Sequence, residues 1–224
     1  MAEAILFDLG WTLVDGMGET EYISRAMVAA GRAADLSVCI AAVRQQVPDF
    51  NNQVDLIPDE AALAAFYRDV AAKLDFDVPG AMQGFPGVWR LFPEAKQVLA
   101  EVKARGYRVG LLSNWGPTGR TILEQQGLLP FFDDVLFSYQ CGHVKPEAAI
   151  FRLAAERLGA LPADCLMVGD NLQFDIWGAL GAGMPAFWVN RRGVPAPAVT
   201  RSGTSLEPLL ELLPPRPRRT EQAG

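Results

Sequence analysis

The sequence predicts an α/β fold: a doubly wound (Rossmann-like) parallel sheet core with an inserted all-helical cap domain. Short apolar runs rich in Val, Leu, Ile and Phe alternate with longer stretches of helical periodicity. The apolar runs are nearly continuous, which is typical of parallel strands that are buried on both faces. One long stretch, residues 16–91, has helical patterns but no strand pattern. These three observations define the predicted fold class.

The predicted core alternates strands with helices. Proline and acidic residues favour the first turns of several helices, and glycines follow their ends, as Pro146 and Gly159 do around one of them. The predicted strands are residues 4–9, 107–113, 135–138, 166–169 and 186–189. The predicted helices are residues 93–105, 118–126, 146–158, 174–182 and 206–213.

The strandless stretch is interpreted as a second module. It contains helical patterns such as residues 60–74, between loops that are rich in Pro, Asn and Gly. It leaves the core and returns to it beside Asp8, which favours a lid over the carboxyl edge of the sheet rather than a flanking bundle without a catalytic role. The predicted division is a core of residues 1–15 and 92–213, a helical cap of residues 16–91 and a disordered, proline-rich tail of residues 214–224.

Composition restricts the possible partners. The formal net charge of −6 argues against nucleic acid, which needs a concentrated basic surface. No apolar run is long enough to span a membrane, and no signal peptide is visible. Cys39, Cys141 and Cys165 are widely spaced and form no CxxC pair, which favours a reducing compartment. We therefore expect a cytoplasmic protein, either a monomer or a homodimer, whose partner is a small molecule.

Reactive side chains stand at the ends of four predicted strands or soon after them. Parallel strands place their carboxyl ends at one edge of the sheet, where open α/β sheets bind ligands. Each residue alone has an ordinary explanation as a turn residue, a helix cap or a solvated charge. Their occurrence at all four ends favours a shared site. The candidate residues are Asp8, Thr12, Ser113, Asn114, Lys145, Asp170 and Asp175.

The acidic residues indicate a metal site. Asp8 and Asp170 offer the hard oxygen ligands that Mg²⁺ prefers, and the backbone carbonyl of Gly10 can complete that face of the ion. Asp175 can orient these ligands or reach the metal through water. The sequence therefore predicts a magnesium site formed by Asp8, Gly10, Asp170 and Asp175.

The remaining candidates favour phosphoryl transfer. Lys145 and magnesium would offset the charges of a phosphoryl group and of Asp8, so that a carboxylate nucleophile can approach an anion. Ser113 and neighbouring backbone N–H groups would bind a phosphoryl oxygen, and Thr12 and Asn114 are further candidates for substrate binding. In-line attack by Asp8 would give an aspartyl-phosphate, which water cleaves in a second step.

The order of these residues resembles the haloacid dehalogenase-like (HAD) hydrolase superfamily over essentially the whole chain. The resemblance includes the stretches Lys145-Pro146-Glu147 and Val168-Gly169-Asp170, and the insertion resembles the family's helical C1 cap. It implies a hydrolase, above all a magnesium-dependent phosphatase of a small phosphorylated metabolite. The roles that it implies are nucleophile for Asp8, phosphate binding for Ser113 and Lys145, and magnesium binding for Asp170 and Asp175.

Gly10 departs from the family pattern. Phosphatases of the family usually carry a second aspartate there, which protonates the leaving oxygen and later activates water. General acid–base catalysis contributes about 10²–10⁴-fold, and glycine cannot transfer a proton. Three hypotheses remain: a phosphatase that relies on an easy leaving group, an acid from the cap or water; a related hydrolase such as a dehalogenase or a phosphonatase; or a retired enzyme that only binds phosphate and metal.

Other residues favour one of these hypotheses over the other two. Dehalogenases of the family share Ser113-Asn114 but need no metal and lack the acids that Asp170 and Asp175 provide. Phosphonatases need a cap lysine, and Lys73, the only lysine of residues 16–91, lies in an ordinary amphipathic pattern. A protein that has lost its catalytic activity need not keep the phosphate-binding and metal-binding residues. A phosphatase is therefore the leading prediction.

Two further features lie close to this edge of the sheet. His143, the only histidine, precedes Lys145 by two residues and is interpreted as a surface loop residue rather than a proton donor. Arg191 and Arg192 follow the last predicted strand and are expected to be solvated.

Overall fold

The computed structural model describes residues 2–195, 197 and 201–216. The strands are β1 Ala4–Phe7, β2 Val14–Asp15, β3 Arg90–Leu91, β4 Arg108–Ser113, β5 Asp134–Phe137, β6 Cys165–Gly169, β7 Ala186–Val189 and β8 Arg201–Gly203. The α-helices are α1 Glu19–Ala29, α2 Leu36–Gln46, α3 Phe50–Val54, α4 Glu60–Leu74, α5 Val78–Met82, α6 Ala95–Ala104, α7 Thr118–Gln125, α8 Ala148–Arg157 and α9 Gly178–Gly181. Shorter 3₁₀ helices are Phe85–Val88, Leu129–Phe131, Ser138–Gln140, Pro162–Asp164 and Glu207–Leu212.

Six strands form one parallel sheet, in the order β5-β4-β1-β6-β7-β8. The central strand β1 pairs with β4 on one side and with β6 on the other. Its side chains alternate between two apolar layers: Ile5 and Phe7 pack into one, and Ala4 and Leu6 into the other. Burial on both faces explains why this strand is apolar throughout, and it confirms the predicted α/β fold.

Helices also make up most of residues 16–91, which we call the cap. This segment is bounded by a short antiparallel pair, in which Val14 of β2 lies opposite Leu91 of β3. The chain therefore leaves the core and returns to it side by side, next to the end of β1. The apolar layer that contains Ile5 continues into the cap through residues such as Ile23 and Val54, so cap and core share one hydrophobic cluster.

The observed core strands differ from the predicted ones by at most two residues at either end, and β7 matches its prediction. The sequence did not predict β8, because Arg201-Ser202-Gly203 is a short polar segment at the sheet edge, where burial does not demand apolar residues. The two-residue strands β2 and β3 were missed because they are too short for periodicity. The segment 206–213, predicted as an α-helix, contains the 3₁₀ helix Glu207–Leu212 instead.

The start of the predicted tail is attached to the core. The Tyr107 hydroxyl donates a hydrogen bond to the Pro214 carbonyl at 2.8 Å, and the Arg216 N–H donates to the Arg105 carbonyl at 2.8 Å. The Arg216 guanidinium also contacts the Ala2 carbonyl. The prediction of a disordered tail is therefore wrong for residues 214–216, and residues 217–224 lie outside the described residues. None of the described helices combines the length and the apolar character that crossing a membrane requires.

Candidate active site

Asp8 directly follows β1, and its side chain is held by three donors. The Asp8 N–H donates to the Val168 carbonyl at 2.9 Å, which extends the strand pairing by one residue. Its Oδ1 accepts hydrogen bonds from Ser113 Oγ at 2.8 Å and Lys145 Nζ at 2.7 Å, and its Oδ2 accepts from Thr12 Oγ1 at 3.2 Å. The carboxylate is almost fully buried. These contacts fix its orientation at the sheet edge.

An arginine that the sequence did not assign to the site braces the loop after Asp8. Arg191 donates from Nε to the Trp11 carbonyl at 3.0 Å and from Nη2 to the Thr12 carbonyl at 2.6 Å. It also pairs with Glu94 at 2.8 Å and lies over the Phe92 ring. The expectation that Arg191 is solvated is therefore wrong. Its partners come from distant parts of the chain, so no local pattern reveals them.

Lys145 is the centre of the charged cluster. Its Nζ donates to Asp8 Oδ1 at 2.7 Å, to Asp175 Oδ1 at 2.5 Å and to the Leu112 carbonyl at 3.2 Å, and only 4% of the residue is exposed. Asn114 positions its backbone: Asn114 Oδ1 accepts from the Lys145 N–H at 2.8 Å, and Nδ2 donates to the Lys145 carbonyl at 3.0 Å. Both ends of the Asn114 amide are thus engaged by protein, which argues for a positioning role rather than the predicted substrate contact.

Asp170 and Asp175 complete an acidic group with Asp8. Each of the three residues offers a carboxylate oxygen, and these oxygens all lie within 4.8 Å of one another. Gly169 permits this approach, because a Cβ at that position would overlap the Asp175 carboxylate. The Asn171 N–H donates to Asp175 Oδ2 at 3.0 Å and holds the second oxygen of that carboxylate.

The segment that carries Asp175 is a π-helical turn, Leu172–Trp177, followed by α9. The Asn171 carbonyl accepts from both the Asp175 and the Ile176 N–H, at 2.9 and 3.2 Å. The predicted helix over residues 174–182 is therefore present, but its first part has π rather than α geometry and it begins two residues earlier. Wide turns of this kind are frequent at functional sites, and here the ion pair between Asp175 and Lys145 holds the side chain in the site.

The cluster contains more acidic than basic groups. Burial, together with the charges of Asp8 and Asp175, raises the pKa of Asp170 to about 8. Burial also raises the pKa of Asp175 to about 6, although Lys145 opposes this shift. Burial would lower the pKa of Lys145, but the adjacent carboxylates of Asp175 and Asp8 raise it above its usual range. One ammonium does not neutralise three carboxylates, so the site is suited to a divalent cation that prefers oxygen ligands.

A cavity of about 220 Å³ lies between this cluster and the cap. Two acidic residues of the cap line it, Glu19 and Asp55. Glu19 is buried at the start of α1, and this burial and the charge of Asp55 raise its pKa to about 8. Burial raises the pKa of Asp55 to about 7. The sequence does not single out either residue, because the helical pattern of the cap does not show which of its acids face the core.

Tryptophan rings occupy the space beside Gly10. A Cβ at Gly10 would lie 3.1 Å from Cζ3 of Trp115. The Trp115 ring packs edge-on against Trp89 at 4.8 Å between centroids, and Trp89 packs in the same way against Trp11 at 5.4 Å. Where the family pattern has an aspartate, this chain thus has Gly10, which leaves space for the indole ring of Trp115.

Lys73 and His143 both lie away from the cavity. Lys73 is 45% exposed in its side chain and pairs with Asp69 at 2.7 Å. His143 is 46% exposed in its side chain, with Nδ1 2.9 Å from Glu147 Oε2. Neither residue lines the cavity, in agreement with the interpretation of His143 as a surface residue.

A parallel sheet with a buried carboxylate, a buried lysine and an acidic group at one edge defines an α/β protein with a charged pocket at the sheet edge. The chain matches the model of the haloacid dehalogenase-like hydrolases over residues 2–183, and it belongs to this family of hydrolases. A glyceraldehyde 3-phosphate phosphatase of Methanothermobacter thermautotrophicus is 29% identical over 199 residues, which are 85% of this chain and 86% of that protein. A phosphoserine phosphatase of Thermus thermophilus is 43% identical over 102 residues, which are 45% of this chain and 41% of that protein.

Solved structures of both phosphatases and dehalogenases share the fold. A HAD phosphatase from Thermococcus onnurineus superposes with a TM-score of 0.72 at 23% identity, over 97% of this chain and 100% of that one. A 2-haloacid dehalogenase from Pseudomonas syringae superposes with a TM-score of 0.67 at 24% identity, over 95% of this chain and 98% of that one. At these identities the likeness establishes the fold, and the reaction must be inferred from the site.

The substitution Gly10→Asp should destabilise the protein by about 1–3 kcal/mol, because the new Cβ would stand 3.1 Å from the packed Trp115 ring, which must shift to relieve the contact. Urea denaturation of the purified variant measures this change. Gly87→Asp is the matched control, because a Cβ at Gly87 meets no atom within 4 Å. A Gly10→Asp variant that is as stable as the wild type would contradict the packing described for Trp115.

Glu19 should make stability depend on pH. Its pKa of about 8 in the folded protein exceeds the ordinary value of 4.5, so between these pH values unfolding releases a proton. The free energy of unfolding therefore falls as pH rises through this window, by up to roughly 1.4 kcal/mol per pH unit. Glu19→Gln removes this loss, so the variant should gain stability over the wild type from pH 5 to pH 8 in urea titrations.

Glu60→Gln provides the control for that experiment, because Glu60 also opens a cap helix but is exposed. Its unfolding curves should follow those of the wild type at every pH. Parallel pH profiles for Glu19→Gln and the wild type would show that Glu19 is ionised in the folded protein at neutral pH.

Proposed function

We propose that this hydrolase is a phosphatase of a small phosphorylated metabolite, with Asp8 as its nucleophile. The observation that carries the proposal is the convergence of Lys145 and Ser113 on one oxygen of a buried Asp8 carboxylate that faces a cavity. These two donors stand beside the nucleophile, where the phosphoryl oxygens of a bound substrate would need positive charge and hydrogen bonds.

The residues around Asp8 have complementary roles in this proposal. The Lys145 ammonium reduces the repulsion between the Asp8 carboxylate and an anionic substrate, and the Ser113 hydroxyl binds a phosphoryl oxygen. Thr12 holds the other Asp8 oxygen and contributes to substrate binding at the loop. Asn114 keeps the backbone of Lys145 in place. In-line attack of Asp8 on phosphorus gives an aspartyl-phosphate, which water then hydrolyses.

The acidic group is proposed as a Mg²⁺ site. Asp8, the backbone carbonyl of Gly10, Asp170 and Asp175 would hold the ion, and hydrolases of this family generally use a divalent metal. The spacing of the three carboxylates and the raised pKa values of Asp170 and Asp175 fit a cation that is harder and more highly charged than an ammonium. When bound, magnesium would supply positive charge for the phosphoryl oxygens.

A phosphatase fits these observations better than the alternatives. Dehalogenases need no metal and would leave Asp170 without a function, while Asp175 would serve only as a partner of Lys145. A phosphonatase would need Lys73 in the cavity, whereas Lys73 pairs with Asp69 on the surface. A relative that is similar over 85% of this chain is itself named a phosphatase. The intact set of charged groups favours an active enzyme over a protein that only binds phosphate.

We also propose a cytoplasmic location and retain both a monomer and a homodimer as candidates. Cys39, Cys141 and Cys165 are all free thiols, which is consistent with a reducing compartment. The cavity has the size of a small-molecule site rather than of a macromolecular groove.

Purified protein should release phosphate from p-nitrophenyl phosphate in the presence of Mg²⁺, and Asp8→Asn should lower kcat by at least about 10³-fold because the amide is not a nucleophile. Asp69→Asn makes the same change in an exposed cap residue and should retain wild-type activity. Equal rates for Asp8→Asn and the wild type would exclude Asp8 as the nucleophile. Release of halide from 2-haloacids without metal would identify a dehalogenase instead.

Mg²⁺ should also stabilise the folded protein. At a concentration of about 100 times its Kd, the ion adds about 2.7 kcal/mol to the free energy of unfolding, which is roughly 5–10 °C in unfolding temperature for a protein of this size. Differential scanning fluorimetry with increasing MgCl₂ measures the shift. Asp170→Asn should reduce it strongly and Asp69→Asn should not. A shift that is equal in all three proteins would place the metal elsewhere.

A further inference from the structure

We propose that Asp55 of the cap is the general acid and base of the reaction and replaces the aspartate that position 10 lacks. This inference rests on the proposed phosphatase function and identifies the group that moves the proton in both steps. It is carried by the place of Asp55 in the wall of the cavity that Asp8 also lines.

Contacts between cap and core fix the position of Asp55. The Ser138 Oγ donates to the Asp55 carbonyl at 2.6 Å and accepts from the Trp115 N–H at 3.0 Å. The preceding carbonyl, that of Val54, lies so close to Gly116 that a Cβ there would be 2.6 Å from it. Trp115 and Gly116 follow the Ser113-Asn114 pair on the same loop. The loop that presents the phosphate-binding serine therefore also holds the backbone of Asp55.

The direction of the reaction identifies the wall of the cavity that must supply the proton. In an in-line displacement the leaving oxygen lies on the far side of phosphorus from the attacking atom. Asp8 attacks from the sheet edge, so the leaving oxygen faces the cap. Among the cap residues that line the cavity, Glu19 and Asp55 are the ones with a carboxyl group.

The electrostatic surroundings favour Asp55 over Glu19 for this role. The charges of Lys145 and Asp8 both act on the pKa of Asp55. The charge that acts on the pKa of Glu19 is that of Asp55, and Glu19 in turn raises the pKa of Tyr67. Asp55 is therefore the carboxyl group of the cap that the charges of the reacting groups reach.

Asp55 is also suited to exchanging a proton near neutral pH. Burial raises its pKa to about 7, with Lys145 lowering and Asp8 raising it. The charged groups that act on it are thus Lys145 and Asp8, and Asp55 in turn raises the pKa of Glu19. A general acid is most effective when its pKa lies near the working pH, because both protonation states are then accessible.

The proton balances over the two steps. In the first, an Asp8 oxygen bonds to phosphorus, the bond to the leaving oxygen breaks with its electron pair, and that oxygen takes the proton of the Asp55 carboxyl. The products are an alcohol, the aspartyl-phosphate and an Asp55 carboxylate. In the second, the carboxylate takes a proton from water as the water oxygen bonds to phosphorus. The bond to Asp8 breaks, and phosphate, ionised Asp8 and protonated Asp55 result.

The decisive experiment compares Asp55→Asn with the wild type on two probes, p-nitrophenyl phosphate and β-glycerophosphate. The nitrophenolate leaves without a proton, so kcat/KM for the aryl phosphate should stay within about threefold of wild type. The alkoxide needs the proton, so kcat/KM for β-glycerophosphate should fall by about 10²-fold or more. Loss of the base for the second step should lower kcat for both substrates.

Further variants separate this role from a structural one. Asp55→Glu retains a carboxyl group and should recover part of the β-glycerophosphate activity. Asp69→Asn, on the cap surface, should retain the wild-type ratio of the two kcat/KM values. Glu19→Gln should also retain this ratio, even where it changes KM. The unfolding temperature of each variant, measured in parallel, shows whether the fold is intact.

Each other outcome overturns the inference. An equal loss of kcat/KM on both probes would assign Asp55 a structural role, and no loss on either would leave it without a role in catalysis. A selective loss in Glu19→Gln would transfer the role to Glu19. If the wild type releases no phosphate from the aryl probe, which needs no acid, the phosphatase proposal itself fails and the role of Asp55 fails with it.

Discussion

The buried ammonium of Lys145 is the interaction on which the site depends. An isolated ion in a protein interior costs several kcal/mol of solvation, so it must be paired and hydrogen-bonded. Asp8, Asp175 and the Leu112 carbonyl provide this pairing at 2.5–3.2 Å. Each partner comes from a different strand end, so the ammonium ties together β1, β4, and the turn after β6. Removing the ammonium would leave the buried carboxylates of Asp8 and Asp175 without their shared counter-charge.

The surrounding backbone is shaped to satisfy that lysine. Asn114 clamps the Lys145 peptide, Gly169 leaves room for the Asp175 carboxylate, and the π-helical turn Leu172–Trp177 carries it. Close packing also bears on why position 10 is a glycine. The Trp115 ring lies beside Gly10, and the acid that we propose for proton transfer, Asp55, comes from the cap instead.

The fold and the sheet-edge residues could be predicted because they follow from local patterns. Continuous apolar runs identify buried parallel strands, and polar residues at their carboxyl ends must meet at one edge. The structure accordingly brings Asp8, Thr12, Ser113, Lys145 and the acids after β6 together. Features that depend on contacts between distant segments escaped prediction: the brace formed by Arg191, the indole of Trp115 beside Gly10 and the orientation of Glu19 and Asp55 toward the core. Hydrophobic periodicity identifies the buried face of a helix but not the residues that this face contacts.

The central claim is that Asp8 accepts the phosphoryl group before water does. The stereochemical course at phosphorus tests it most directly, using a phosphate monoester made chiral by oxygen isotopes and sulfur, with transfer to water catalysed by the wild-type protein. Two successive in-line displacements, the first by Asp8 and the second by water, predict net retention of configuration. Net inversion would mean that water attacks the substrate in a single step, and it would contradict a covalent intermediate on Asp8.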